Sequence, residues 1–264
     1  MKVDLYQINA FTDRMFAGNP AAVCPLAAWL DDATMLAIAA ENNLSETAFF
    51  VPRDGDFDLR WFTPTCEVDL CGHATLASAH LILTRLDPGR TDVVFHTRSG
   101  ALRVVRDGDR LAMDFLRWQP QPIPPPDGLA AALGCALDAV YFGRDRHMAV
   151  LPSAGSVRTL RPDMGALAMV APGRVIVTAP GEDCDFVSRF FAPGSGVNED
   201  PVTGSSHCVL VPYWAARLGK TDLHARQISK RGGELFCRQQ GDRVVIAGRS
   251  VLFLTGYTEF SERR

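Results

Sequence analysis

Four side chains able to move or hold a proton stand where the sequence changes local structure. Glu46 lies in Leu44-Ser45-Glu46-Thr47-Ala48-Phe49-Phe50, directly ahead of an apolar run. A carboxylate there would be partly desolvated and its pKa raised, which suits a group serving as both acid and base near neutrality. The competing reading is a solvated or helix-capping glutamate, common for this residue type. His73 follows Gly72 where a helix should begin. The helix dipole disfavours imidazolium there, so a neutral ring is expected. Asp200, in Asn198-Glu199-Asp200-Pro201-Val202-Thr203-Gly204, precedes a second helix start. It either complements the dipole or accepts a hydrogen bond from a substrate amine or hydroxyl. Cys71 adjoins Gly72, and a thiol at a helix N-terminus can have a lowered pKa.

Small residues surround both helix starts: Gly72 in one, Gly204, Ser205 and Ser206 in the other. Exposed N–H groups at two such termini would hold a carboxylate without a metal. The alternative is that each glycine simply opens a buried helix.

The elements that must position these residues come in two copies. Ala22-Val23-Cys24-Pro25 resembles Ala149-Val150-Leu151-Pro152, 127 residues on. Thr47 to Pro52 resembles Val175 to Pro180 at 128, and Arg60-Trp61-Phe62-Thr63-Pro64 resembles Arg189-Phe190-Phe191-Ala192-Pro193 at 129. Three matches in the same order at nearly constant offset indicate an internal repeat. Within it Glu46 falls opposite Arg174, so the carboxyl has no acidic twin. Each copy then runs through a polar loop to a helix, Leu76 to Leu86 and Cys208 to Leu218, apolar around most of its circumference. Such a helix is buried on nearly all sides, so each half should wrap a sheet around one central helix. Two such halves would meet at a cleft, a preferred kind of ligand site.

Strands are expected at Lys2–Phe11, Ala21–Cys24, Ala48–Val51, Leu59–Phe62, Val93–His96, Ala101–Val105 and Leu111–Phe115, and an amphipathic helix at Asp32–Asn42. The proline-rich stretch Pro120 to Pro126 reads as an extended linker. The expected division is residues 1–119 and 127–264, with strands at Arg243–Gly248 and Ser250–Thr255 completing either half.

Composition narrows the function classes. With 47% hydrophobic and 22% charged residues among 264, the chain can bury a sizeable core. A net charge of −3 with scattered basic residues, densest at Lys230-Arg231 and Arg263-Arg264, gives no nucleic-acid stripe. No apolar run has membrane-spanning length, and the first residues do not read as a secretory signal, so a cytoplasmic location is expected. Seven scattered cysteines argue against a disulfide framework. No metal site is expected: His73 and His80 would lie about 10 Å apart along a helix. No Gly-x-Gly-x-x-Gly or phosphate-loop lysine points to a nucleotide or flavin cofactor.

Taken together, these strings resemble the PhzF-like family of phenazine biosynthesis, within the diaminopimelate-epimerase-like superfamily. The resemblance rests on Gln7 to Thr12 with Gly18-Asn19-Pro20-Ala21-Ala22-Val23, Leu44 to Phe49, Arg60 to Pro64 with Cys71-Gly72-His73-Ala74-Thr75, and Glu199 to Ser205. It implies an α+β fold of two pseudo-symmetric halves, each a curved sheet or barrel around a central helix, in a homodimer that uses no cofactor. It implies Glu46 as the acid/base and Gly72, His73, Asp200, Gly204 and Ser205 as substrate-binding residues, with Ser45 and Asn19 in the matching strings. The implied activity is isomerisation of a small carboxylate-bearing substrate by proton transfer. The superfamily's epimerases use two cysteines; here Cys71 fits the first position, and Asp200 stands where the second would be. Two rival readings remain: an epimerase using Cys71 with Glu46 or Asp200, and a binding protein on the same scaffold.

Overall fold

The computed structural model describes residues 1–260; the Arg263-Arg264 pair lies outside them. The chain divides into two compact units, one formed by Met1–Asp114 with the segment from Ala247 onward, the other by Phe115–Ile246.

The first unit runs β1 (Lys2–Ala10), β2 (Asn19–Pro25), α1 (Asp32–Asn42), β3 (Glu46–Arg53), β4 (Asp56–Phe62), β5 (Glu67–Val68), α2 (Gly72–Leu81), β6 (Asp92–Thr97), β7 (Gly100–Asp107) and β8 (Arg110–Leu116). Helix α1 has the bounds expected from the sequence. Asp31 caps it by accepting from the Thr34 N–H at 2.9 Å, and left-handed Asn43 ends it. Alternation along β3 sends Phe49 and Val51 into a cluster with Met35, Ile38 and Ala39 of α1. The opposite face carries Glu46, Ala48 and Phe50. Helix α2 is buried around most of its circumference, as its apolar run requires. The helix expected to reach Leu86 instead passes at Ile82 into one π-helical turn, where Arg106 donates to the Leu83 carbonyl at 2.5 Å.

The second unit contains β9 (Gln121–Ile123), α3 (Leu129–Leu133), β10 (Ala139–Gly143), β11 (Arg146–Val150), α4 (Ala154–Thr159), α5 (Met164–Met169), β12 (Val175–Pro180), β13 (Phe186–Ala192), β14 (Val197–Asp200), α6 (Gly204–Leu218), β15 (Asp222–Gln227), β16 (Gly233–Gln240) and β17 (Arg243–Gly248). Strand β18 (Ser250–Glu259) returns to the first unit, antiparallel to β1. That narrows the expected second half, which stops at Ile246. The boundary at 119 also moves. The Arg117 N–H donates to the Asp242 carbonyl and the Trp118 N–H to the Cys208 carbonyl, tying these residues to the second unit. Nor is the proline-rich stretch a free linker: Gln121 to Ile123 pair with β10.

Both units pair their strands in one pattern. β1–β2 is antiparallel, β2–β3 parallel, β3–β4 antiparallel, β4–β6 parallel and β6–β7 antiparallel. β10–β11, β11–β12, β12–β13, β13–β15 and β15–β16 repeat that order. Arg60 lies opposite Phe49 and Arg189 opposite Val177, matching the sequence offsets of 129 and 128. The first match shifts. Val23 pairs with Ala48 and Met148 with Ile176, so β2 and β11 correspond two residues away from the sequence match. A two-residue slip leaves every side chain on the same face, which is why the sequence match looked sound. Of the two forms expected, the sheet does not close into a barrel. Among the described residues, no helix is long and apolar enough to cross a membrane.

Candidate functional site

In the first unit, adjacent strands and one helix start bring a carboxyl, an imidazole and a thiol together. Glu46 is the first residue of β3 rather than a residue ahead of it, and lies opposite Ala21 of β2. Asn19, two residues earlier in β2 and therefore on the same face, is fully buried. The chain reaches Asn19 through Gly18, whose φ of +69° and 2.3 Å clearance from the Ala10 carbonyl leave no room for a Cβ. Gly72 opens α2 and Cys71 occupies its N-cap. Ser45 is half-buried in the bend before β3.

His73 Nε2 lies 3.3 Å from Glu46 Oε2, and Cys71 Sγ lies 3.5 Å from His73 Nδ1. The Glu46 side chain is 19% exposed and that of His73 6%. Burial pushes the His73 pKa down to about 3, against a hydrogen bond to the Pro20 backbone that favours the charged ring. The ring is therefore neutral, as its position at a helix N-terminus suggested, and its contact with Glu46 is not a salt bridge. Nε2 is close to the carboxyl without hydrogen-bond alignment.

Glu46, Cys71 and His73 offer ligand atoms that all lie within 4.8 Å of one another, a donor set compatible with zinc. The arrangement fits a shared ion poorly. The thiol meets Nδ1 and the carboxyl meets Nε2, and the lone pairs of those two nitrogens diverge. One ion needs donors converging at about 2.0–2.3 Å.

The second unit holds its own polar set at the start of α6. Thr203 is the N-cap, and its Oγ1 donates to Asp200 Oδ2. The Gln227 side chain accepts from the Thr203 N–H at 2.8 Å and donates to the Asp200 carbonyl at 2.8 Å, fixing the loop between them. Buried Arg146 donates to Ser205 Oγ at 3.1 Å and to Ser206 Oγ at 3.3 Å. Its Nε bonds Asp145, which also pairs with Arg174. His207, fully buried, meets the Thr203 carbonyl through Nδ1 at 2.9 Å, and burial pushes its pKa down to about 4.

All the expected residues are accounted for in their own units: Asn19, Ser45, Glu46, Cys71, Gly72 and His73 in the first, Asp200, Gly204 and Ser205 in the second. The sequence reading missed Gln227 and Arg146, which act from strands distant in the chain. It also misplaced the second thiol position. Glu67 and Glu199, Cys71 and Thr203, and Gly72 and Gly204 correspond throughout at 132 residues. The twin of Cys71 is thus Thr203, while Asp200 corresponds to Val68, opposite Trp61 as Asp200 is opposite Phe190.

Residues 8–256 match the model of the family described as phenazine biosynthesis-like protein. The chain belongs to that family. A curated relative from Pseudomonas aeruginosa, named an uncharacterized isomerase, is 53% identical over 97% of this chain and 98% of its own. The crystal structure of a PhzF-family phenazine biosynthesis protein from Enterococcus faecalis superposes with a TM-score of 0.96 at 44% identity, covering 98% of this chain and 100% of the other. A hydroxyproline epimerase from Agrobacterium vitis shares the fold, with a TM-score of 0.63 at 12% identity over 97% and 92% of the two chains. The names given to these phenazine biosynthesis-like relatives support an isomerase of the PhzF type at the general level.

Proposed function

We propose that this phenazine biosynthesis-like protein is a cofactor-independent isomerase that moves a proton on a small carboxylate-bearing substrate, with Glu46 as the acid/base. The observation that carries this reading is the Glu46 carboxyl, mostly buried and 3.3 Å from a histidine kept neutral. As a carboxylate Glu46 takes a proton from carbon beside an unsaturated system; as the acid it returns that proton to another carbon of the same system. No net oxidation accompanies the step. His73 Nε2 orients the carboxyl or a polar substituent. In the first unit the helix start at Gly72 supplies N–H groups suited to an anionic oxygen of the substrate; within the second unit the start of α6 at Gly204 has the same character, and Asp200 and Ser205 there are of types suited to amine or hydroxyl groups.

The thiol reading is weaker on two counts. Cysteine nucleophiles and bases paired with histidine rely on an imidazolium to hold the thiolate, and burial keeps the His73 ring uncharged. The position equivalent to Cys71 in the second unit is Thr203, so the repeat supplies no second thiol there.

The test is a panel of small unsaturated carboxylates incubated with enzyme in heavy water and followed by proton NMR. Deuterium should enter at least one substrate with wild-type protein and not with Glu46→Gln. Undiminished exchange in Glu46→Gln refutes the assignment.

A further inference from the structure

The internal repeat preserves one feature that the chemistry does not use. Arg60 grips Glu67 at two points, Nε to Oε1 and Nη2 to Oε2, each 2.7 Å. Arg189 grips Glu199 in the same way, at 2.7 and 3.0 Å. All four side chains are mostly buried. Each arginine also reaches the crossover helix of its own unit. Arg60 Nη2 bonds Asp32 at the start of α1, and Arg189 Nη1 bonds the Val157 and Leu160 carbonyls at the end of α4.

Across the positions from Glu67 to His73 and from Glu199 to Ser205, only the glutamate and the glycine are identical in the two copies. Cys71 has become Thr203, His73 has become Ser205, and Val68 has become Asp200. The halves have diverged at every side chain that could do chemistry and kept the ion pair. Whatever the pair does is therefore common to both, and what is common to both is the helix start five residues downstream. Strand β5 has only two residues, so backbone pairing alone holds this approach weakly. A planar guanidinium fork fixes a carboxylate in distance and angle, which a lysine cannot do.

We propose that Arg60 and Glu67 are positioning residues that set where α2 begins, and so hold Cys71 and His73 against Glu46; Arg189 and Glu199 do the same for Thr203 and Asp200. The importance of this placement for turnover rests on the isomerase reading, but the placement itself can be measured without turnover.

The experiment uses the full chain with nitrogen-15-labelled histidine, comparing wild type with Arg60→Lys, Glu67→Gln and Arg189→Lys. Ring resonances of His73 are followed by NMR, and labelling of Cys71 by iodoacetamide is followed by peptide mass spectrometry. Arg60→Lys should shift the His73 ring signals and raise the Cys71 labelling rate at least threefold, with an unchanged circular-dichroism spectrum. Glu67→Gln, which keeps the side-chain shape, should act in the same direction and covers the case in which Arg60→Lys does not fold. Arg189→Lys should leave both readouts as in wild type. The proposal is overturned if Arg60→Lys and Glu67→Gln lower thermal stability while His73 signals and Cys71 labelling stay unchanged, or if Arg189→Lys moves them equally. Loss of isomerisation in Glu46→Gln has no bearing on either readout, so the two proposals fail separately.

Discussion

Acidification from pH 7.5 to pH 5 should destabilise the protein through its buried histidines, of which His73 and His207 contribute about 2 kcal/mol each. His73 and His207 have pKa values pushed down to about 3 and about 4, in both cases chiefly by burial. In the unfolded chain a histidine titrates near pH 6.5. Between those limits the unfolded state binds a proton that the native state refuses, so stability is fully present above about pH 7 and is lost as pH falls. At pH 5 the gap to 6.5 is about 1.5 units, and one unit is about 1.4 kcal/mol, which gives the figure per histidine. Carboxylates add little there, since they titrate near pH 4 when unfolded. His73 lies in one unit and His207 in the other, so each unit should lose its share even if the two unfold separately. The assay is urea unfolding followed by tryptophan fluorescence at both pH values, on wild type and His207→Gln. The variant starts less stable, because the bond to the Thr203 carbonyl is disturbed. Its further loss on acidification should nevertheless be smaller by about 2 kcal/mol. Equal unfolding free energies at the two pH values, or an undiminished loss in the variant, would refute the reasoning.

Two further expectations concern the frame around the site. Gly18→Ala places a Cβ only 2.3 Å from the Ala10 carbonyl oxygen, at a φ of +69°, and should destabilise by about 2 kcal/mol or more in thermal or urea unfolding. Near-wild-type stability would show that the loop before Asn19 relaxes freely. Trp214→Phe removes the indole N–H that bonds Thr178 Oγ1 at 3.0 Å, within a parallel stack on Phe186. It should cost about 1–3 kcal/mol by urea unfolding, and no loss would mean the stack repacks around the smaller ring.

The sequence carried the site further than it carried the boundaries. Glu46, His73 and Cys71 could be found because each adjoins a local signal: an apolar strand, or a glycine opening an apolar helix. The absence of an acidic twin for Glu46 followed from the repeat, and strand register confirms that offset through Arg60 and Arg189. Gln227 and Arg146 left no such trace. Their hydrogen bonds to Asp200, Thr203, Ser205 and Ser206 join strands and a helix far apart in sequence, and a side-chain bond of that kind has no periodicity to detect. Prolines misled for a similar reason. Pro122 sits in a short strand paired with Tyr141, a tertiary contact that overrides its reading as linker. The exchange of Thr203 for Asp200 as the twin of Cys71 became visible only once both helix caps were located.

The most direct test of the account compares Glu46→Gln with Cys71→Ala on whichever carboxylate the wild-type enzyme isomerises. General acid–base catalysis by a positioned carboxyl contributes about 10²–10⁴-fold. Glu46→Gln should therefore lose at least about a hundredfold in kcat, while Cys71→Ala stays within a few-fold of wild type. The reverse result, an active Glu46→Gln beside an inactive Cys71→Ala, would contradict the account and move the chemistry to the thiol.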